Sequence, residues 1–164
     1  MSEVANVPTA IGGAQYAGMI RSAANALLNQ KDLINRLNVY PVPDGDTGSN
    51  MSMTMKPAGD LNGQTSSLSE CADKVASLFL RAARGNSGVI LSQFFRGVWQ
   101  ELSNCSSADA LQLSRALVCG YRTAYASMAH PVEGTILTVF REGIDLILDQ
   151  ITSETSIETL LTLY

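Results

Sequence analysis

Histidine, cysteine and excess positive charge are all scarce in this chain. Its one histidine, His130, sits beside Pro131 as a surface loop residue does, so it offers no His-centred catalytic or metal cluster. The three cysteines, Cys71, Cys105 and Cys119, are odd in number and lack Cys-x-x-Cys spacing. That excludes a disulfide framework and a thiolate zinc site, and it reads as a reducing, cytoplasmic setting. Lys and Arg number 11 against 15 Asp and Glu, a net charge of −4, and no basic cluster appears. Nucleic acid and anionic membranes are therefore poor partners. No apolar run approaches the ~20 residues that span a bilayer. Residues Met1 to Pro8 lack the basic start and apolar run of a secretory leader. Neither a Gly-x-x-x-x-Gly-Lys-Ser/Thr phosphate loop nor a Gly-x-Gly-x-x-Gly fingerprint occurs. A nucleotide would have to be held mainly through metal and backbone amides.

What the chain does have is three Gly/polar turns. The first runs Asn38-Val39-Tyr40-Pro41-Val42-Pro43-Asp44-Gly45-Asp46-Thr47-Gly48-Ser49-Asn50. Two carboxylates two residues apart can aim hard oxygens at one point, which suits Mg²⁺ and, through it, phosphate. It is not an EF-hand: counting from Asp44, Gly48 stands fifth and Met55 twelfth, where a bidentate Glu is required. The same residues are turn and helix-cap formers, and spacing alone leaves both readings open.

The second turn, Arg84-Gly85-Asn86-Ser87-Gly88, precedes the apolar run Val89-Ile90-Leu91. Glycines around Asn-Ser let backbone N–H groups approach a ligand, and a helix starting there turns its positive end toward the loop. A plain helix–helix connection fits equally well. The third, His130-Pro131-Val132-Glu133-Gly134-Thr135, again ends one helix and begins another. Glu133 could take a metal or a ribose hydroxyl and Thr135 a phosphate, although a Pro-stopped helix boundary needs neither.

The apolar periodicity is helical nearly throughout. Tyr16, Ile20, Ala23, Leu27, Ile34 and Leu37 mark a first helix or a broken pair, and Ser49–Lys56 a short segment ending at Pro57. Residues 58–66 are turn-rich and expected to be mobile, and Ser67-x-x-Glu70 reads as a capping box. Stripes follow at Ala72, Val75 and Phe79; at Leu91, Phe94, Val98 and Leu102; at Leu113, Leu117, Tyr121, Ala124 and Met128; and at Leu137, Phe140, Ile144, Ile147 and Ile151. Thr155-x-x-Glu158 starts a further helix, and Met51, Met53 and Met55 read as filler at the bundle mouth. No period-2 run calls for a strand. The expectation is all-α: an antiparallel up-and-down bundle in one domain over 13–164, after a flexible segment 1–12. Alternate loops of such a bundle share an end, which would gather the three turns into one site.

Taken in order, the first turn through Met51, the run from Arg84 to Gln93 and Pro131-Val132-Glu133-Gly134-Thr135-Ile136-Leu137 resemble the DhaL (Dak2) family, most nearly its fatty acid kinase branch. The resemblance implies a closed helical barrel or bundle with ATP or ADP and Mg²⁺ at one end. It implies metal-binding and catalytic roles for Asp44 and Asp46, with Asn38 a further metal or nucleotide ligand where the dihydroxyacetone kinase branch has an Asp. It assigns Thr47, Asn50 and Met51 to the nucleotide, Gly85, Asn86 and Ser87 to the phosphates, and Glu133 and Thr135 to the loop near adenine, ribose and phosphates.

The implied activity is phosphoryl transfer to a fatty acid carboxylate presented by a DegV-type binding protein. The alternatives are a dihydroxyacetone (glycerone) kinase role beside a DhaK-type subunit, or a non-catalytic nucleotide-binding or interaction module. A homodimer is compatible with any of these. The family pattern continues past Tyr164 with another helix and a Val-Val-Asp-x-Gly-Gly-type loop, so the domain is expected to be incomplete at its C-terminus.

Overall fold

Six buried residues of Leu68–Ala82 stand three and four apart: Leu68, Cys71, Ala72, Val75, Ala76 and Phe79. That spacing gives a helix one apolar stripe, and burying the stripe needs neighbours on that side. The computed structural model describes residues 9–39, 43–61 and 67–164 and shows how the neighbours are arranged. In chain order they are β1 (Ala10–Gly12), α1 (Gly13–Asn29), α2 (Lys31–Leu37), α3 (Thr47–Met55), a 3₁₀ turn (Lys56–Asp60), α4 (Leu68–Ala82), α5 (Gly85–Leu102), β2 (Ser107–Asp109), α6 (Ala110–Ala126), α7 (Ile136–Leu148) and α8 (Ile157–Leu163). The all-α expectation is met. No helix among the described residues is long and apolar enough to cross a membrane.

The centre of the bundle is the α5–α6 pair. Gln112 donates to Glu101 at 3.2 Å, while Gly97 faces Cys119 and Gly120, so the two helices run antiparallel. They cross closely because both are glycine at the crossing. A Cβ on Gly97 would strike the Cys119 carbonyl, and one on Gly120 would lie 2.9 Å from the Phe94 carbonyl. Aromatic rings spread from that crossing: Phe94 stacks on Phe140 of α7 at 4.3 Å, and Phe95 meets Phe79 of α4 edge-on at 5.0 Å. The core extends to the fully buried Leu68, Leu102, Ile147 and Leu160.

The rest of the bundle departs from expectation in local detail. Among the described residues α1 packs on α3 and α4, and α7 packs on α5, α6 and α8. Residues 10–12, expected in a flexible leading segment, form β1, which pairs antiparallel with β2 in the register Ile11 to Ala108. Three-residue strands are too short to show an alternation in sequence. Residues 58–61 were expected to be mobile; instead Ala58 and Leu61 are buried and the Leu61 carbonyl accepts the Arg21 guanidinium. Residues 62–66 lie outside the described residues.

The Ser67–Glu70 capping box is not made. Ser67 Oγ bonds Ser69 Oγ, and the first amides of α4 donate instead to the carbonyls of Ser106 and Cys105. The backbone next to β2 supplies the cap. Helix α8 begins two residues after Thr155, and Ser156 caps it by accepting from the Thr159 amide at 3.0 Å. The methionines divide: Met55 is buried, Met51 packs against the core and Met53 is exposed.

Candidate functional site

The first turn is built by two asparagines that reach across from α2. Asn35 clamps Ser49 from both sides, its Oδ1 accepting the Ser49 amide at 3.1 Å and its Nδ2 donating to Ser49 Oγ at 3.0 Å. Asn38 Oδ1 accepts from the amides of Asp46 and Thr47 at 3.3 Å and from Thr47 Oγ1 at 2.8 Å. The asparagines thus satisfy amides at the start of α3 that a helix leaves without partners. With three donors on it, the Asn38 oxygen works here as the organiser of the turn, and Thr47 is tied to it.

Gly45 has φ +67°, a left-handed conformation that suits glycine, and Gly48 is buried where a Cβ would run into the Lys31 carbonyl. Asp46 is the N-cap residue of α3, yet its carboxylate makes no capping bond, and both Asp44 and Asp46 are exposed. The result is two solvated carboxylates beside the positive end of a helix. Tyr40, Pro41 and Val42 lie outside the described residues.

The second turn is not a loop. Gly85, Asn86 and Ser87 form the first turn of α5, with Gly85 at φ +58°. Their amides have no cap: Arg84, the N-cap residue, contributes no side-chain bond, and no hydrogen bond from these three amides is present among the described residues. Here α3 and α5 differ. In the first the Thr47 and Ser49 amides are covered by asparagines; in the second the first three amides find no partner among the described residues, an arrangement that suits an anion.

The two helix starts touch. A Cβ on Gly85 would run into the Asn50 side chain, and one on Gly88 into Thr54 Oγ1. The pairs Asn50–Gly85 and Thr54–Gly88 advance together, so α3 and α5 lie parallel, start beside start. The structure therefore brings Asn38, Asp46, Thr47, Asn50, Gly85, Asn86 and Ser87 to one end of the bundle. Met51 is on the core side of α3.

The third turn reaches the same end by topology, since α6 runs antiparallel to α5 and the turn follows it, but its bonds are its own. Thr135 caps α7, its Oγ1 accepting the Leu137 amide at 3.3 Å and donating to the Val132 carbonyl at 2.8 Å. Glu133 Oε2 accepts from Thr138 Oγ1 at 2.6 Å and from the Arg141 guanidinium at 3.1 Å, while Gly134, at φ +79°, donates its amide to Thr138 Oγ1. The Thr138 hydroxyl first, and then Arg141, hold the Glu133 carboxyl below its ordinary pKa. Arg141 also bridges to Asp145 at 3.4 Å. Glu133 and Thr135 thus shape the start of α7.

Among the described residues no cluster of three or more His, Cys, Asp or Glu could hold a metal ion. Mg²⁺ does not require one, because it is commonly bound by one or two carboxylates plus phosphate oxygens and water. Asp44 and Asp46, both exposed at the start of α3, fit the carboxylate part of that donor set. A groove of about 500 Å³ between α1, α2 and α3 is lined by Arg21, Leu28, Lys31, Ser49, Ser52 and Met53 and takes in none of the expected site residues.

Three residues with evident roles escaped the sequence reading: Asn35, Thr54 and Arg141. Asn35 and Arg141 carry no local signal. Thr54 carries none either, because its role depends on the distant Arg84 amide.

Two helix starts thus lie side by side at this end, one flanked by carboxylates and one whose first amides have no partner among the described residues. The DAK2 domain family matches residues 41–163, and the chain belongs to that family. The family is associated with nucleotide-binding kinase subunits, and its DhaL-type domains bind ADP or ATP. The chain is 44% identical over 137 residues to an uncharacterized protein of Staphylococcus saprophyticus, covering 82% of this chain and 25% of that protein. It is 44% identical over 135 residues to one of Staphylococcus haemolyticus, covering 81% of the chain and 24% of the relative. A Staphylococcus aureus protein is 43% identical over 135 residues, with 81% and 25% covered. The chain spans about a quarter of the length of these relatives.

Proposed function

We propose that this chain is the Mg²⁺-nucleotide-binding unit of a kinase and that its end bearing the α3 and α5 starts holds the polyphosphate. The observation that carries the reading is the contact of those two starts through Asn50 and Gly85, with the uncapped amides of Gly85–Ser87 on one side and Asp44 and Asp46 on the other. Each half is common alone; together they offer an acidic chain both a cation site and an anion site at one place.

In this reading Asp44 and Asp46 are the metal ligands, with Asn38 holding their turn and open to a ligand role if the turn rearranges. The amides of Gly85, Asn86 and Ser87 neutralise charge on the phosphate oxygens, and Thr47 and Asn50 border the nucleotide with Met51 behind them. Glu133 and Thr135 shape the third wall. Bound Mg²⁺ would supply charge neutralisation and orientation at the β- and γ-phosphates. Little proton transfer is asked of the protein, consistent with the lone His130 having no part.

For the acceptor, a fatty acid carboxylate presented by a DegV-type protein is the preferred reading, because an ionised carboxylate needs no general base and this reading gives Asp44, Asp46 and Glu133 other parts. The second reading is a dihydroxyacetone kinase role with a DhaK-type subunit, in which a base would come from that subunit.

Calorimetric titration of ATP into the chain, with and without Mg²⁺ and beside Asp46→Asn, tests the nucleotide assignment. Mg²⁺-dependent binding that is lost in the variant is expected; Mg²⁺-independent binding, or binding unchanged by the variant, contradicts it. Turnover with a fatty acid and its binding protein, against dihydroxyacetone and its subunit, separates the acceptors.

A further inference from the structure

A buried hydroxyl ties the two helix starts together, and the nucleotide reading leaves it unused. Thr54, late in α3, is fully buried. Its Oγ1 donates to the Asn50 carbonyl at 2.8 Å, the ordinary habit of a helical threonine. The same oxygen accepts the Arg84 amide at 3.2 Å, a bond that spans 30 positions of chain and lands on the residue immediately before α5. Gly88 lies directly over it: a Cβ there would run into Oγ1, so glycine is what lets α5 settle on the hydroxyl.

Nothing else among the described residues caps this helix. Arg84 makes no side-chain cap, and its guanidinium donates to the neighbouring Ala83 carbonyl at 2.9 Å. One oxygen therefore fixes the residue from which the open amides of Gly85–Ser87 fan out. Through the Asn50 carbonyl it fixes them relative to the helix that begins at the Asp44–Asp46 turn.

We propose that Thr54 is a positioning residue that sets the separation of the α3 and α5 starts, and with it the phosphate-binding competence of this end. The inference rests on the nucleotide reading. Thr54 touches no ligand in it; the hydroxyl acts through the Arg84 amide.

The test uses the full chain in three forms, wild type, Thr54→Val and Thr54→Ser, titrated with Mg-ADP well below each protein's thermal midpoint. Valine keeps the shape and removes both bonds, leaving the Arg84 amide without an acceptor; serine keeps the oxygen. The expected result is affinity about tenfold weaker in Thr54→Val and within about twofold of wild type in Thr54→Ser. A purely structural role would lower the thermal midpoint and leave the Mg-ADP affinity of the folded valine variant unchanged, and that result overturns the proposal. Should Thr54→Val not fold, Thr54→Ala removes the same two bonds and carries the same expectation. A folded wild type that binds no Mg-ADP refutes the nucleotide reading and this inference with it, whereas a binding wild type with an indifferent valine variant refutes this inference alone.

Discussion

Asp46 stands where two demands meet. As N-cap residue it adds negative charge at the positive end of α3, and its carboxylate is left free by Asn38, which takes the amides of Asp46 and Thr47. Asp46→Asn keeps the shape and removes the charge, so it is expected to weaken Mg-nucleotide affinity by at least about tenfold with little change in thermal midpoint. Gly85 is constrained differently, by its positive φ and by Asn50 pressed against it. Gly85→Ala should cost about 1–3 kcal/mol in chemical denaturation, from backbone strain and overpacking together. Glu133 supplies a pH dependence. Its pKa is lowered in the fold, chiefly by Thr138, so its contribution is complete above the ordinary carboxylate value and is lost as pH falls through the lowered one. The fall of thermal midpoint in that acid range should be shallower in Glu133→Gln than in wild type. These residues were legible because they lie in turns with unusual composition. Asn35 and Thr54 were not: what they do depends on Ser49 and Arg84, and only the folded arrangement brings those partners to them.

Helix existence was readable from the stripes, and helix ends much less so. The stripes report burial, which repeats along the element; an end reports where the orphan amides find partners, and that is often decided elsewhere in the chain. Helix α4 starts at the residue after Ser67, as the pattern suggests, yet its cap comes from the carbonyls of residues 105 and 106. Helix α5 starts four residues before the apolar run, at Gly85, whose backbone is left-handed. Helix α6 has the plainer device, Asp109 Oδ1 accepting the Gln112 amide at 2.7 Å. Asp109→Ala should therefore destabilise the fold by ~1 kcal/mol in urea unfolding. By contrast Ser67→Ala should cost little, since that side chain caps nothing. Equal losses for the two would contradict the assignment of caps.

At the scale of the molecule, the sequence supported the bundle and the sharing of one end by alternate turns, because both follow from helix count and short connections. It did not support the strand pair that pins the opposite end, because two three-residue strands leave no pattern. The α5–α6 crossing at Gly97 and Gly120 holds the arrangement together. Gly97→Ala is predicted to lower stability by about 1–3 kcal/mol through overpacking, read as a lower urea midpoint with an unchanged slope. The central claim is that the starts of α3 and α5 form one metal–nucleotide site, and paramagnetic broadening of backbone amide NMR signals by Mn²⁺ with ADP tests it most directly. The account predicts that Thr47, Gly48, Gly85, Asn86 and Ser87 broaden together, only when ADP is present, while Ala10–Gly12 and Ser107–Asp109 at the far end stay sharp. Broadening of only one of the two helix starts, or the same pattern without ADP, would contradict it.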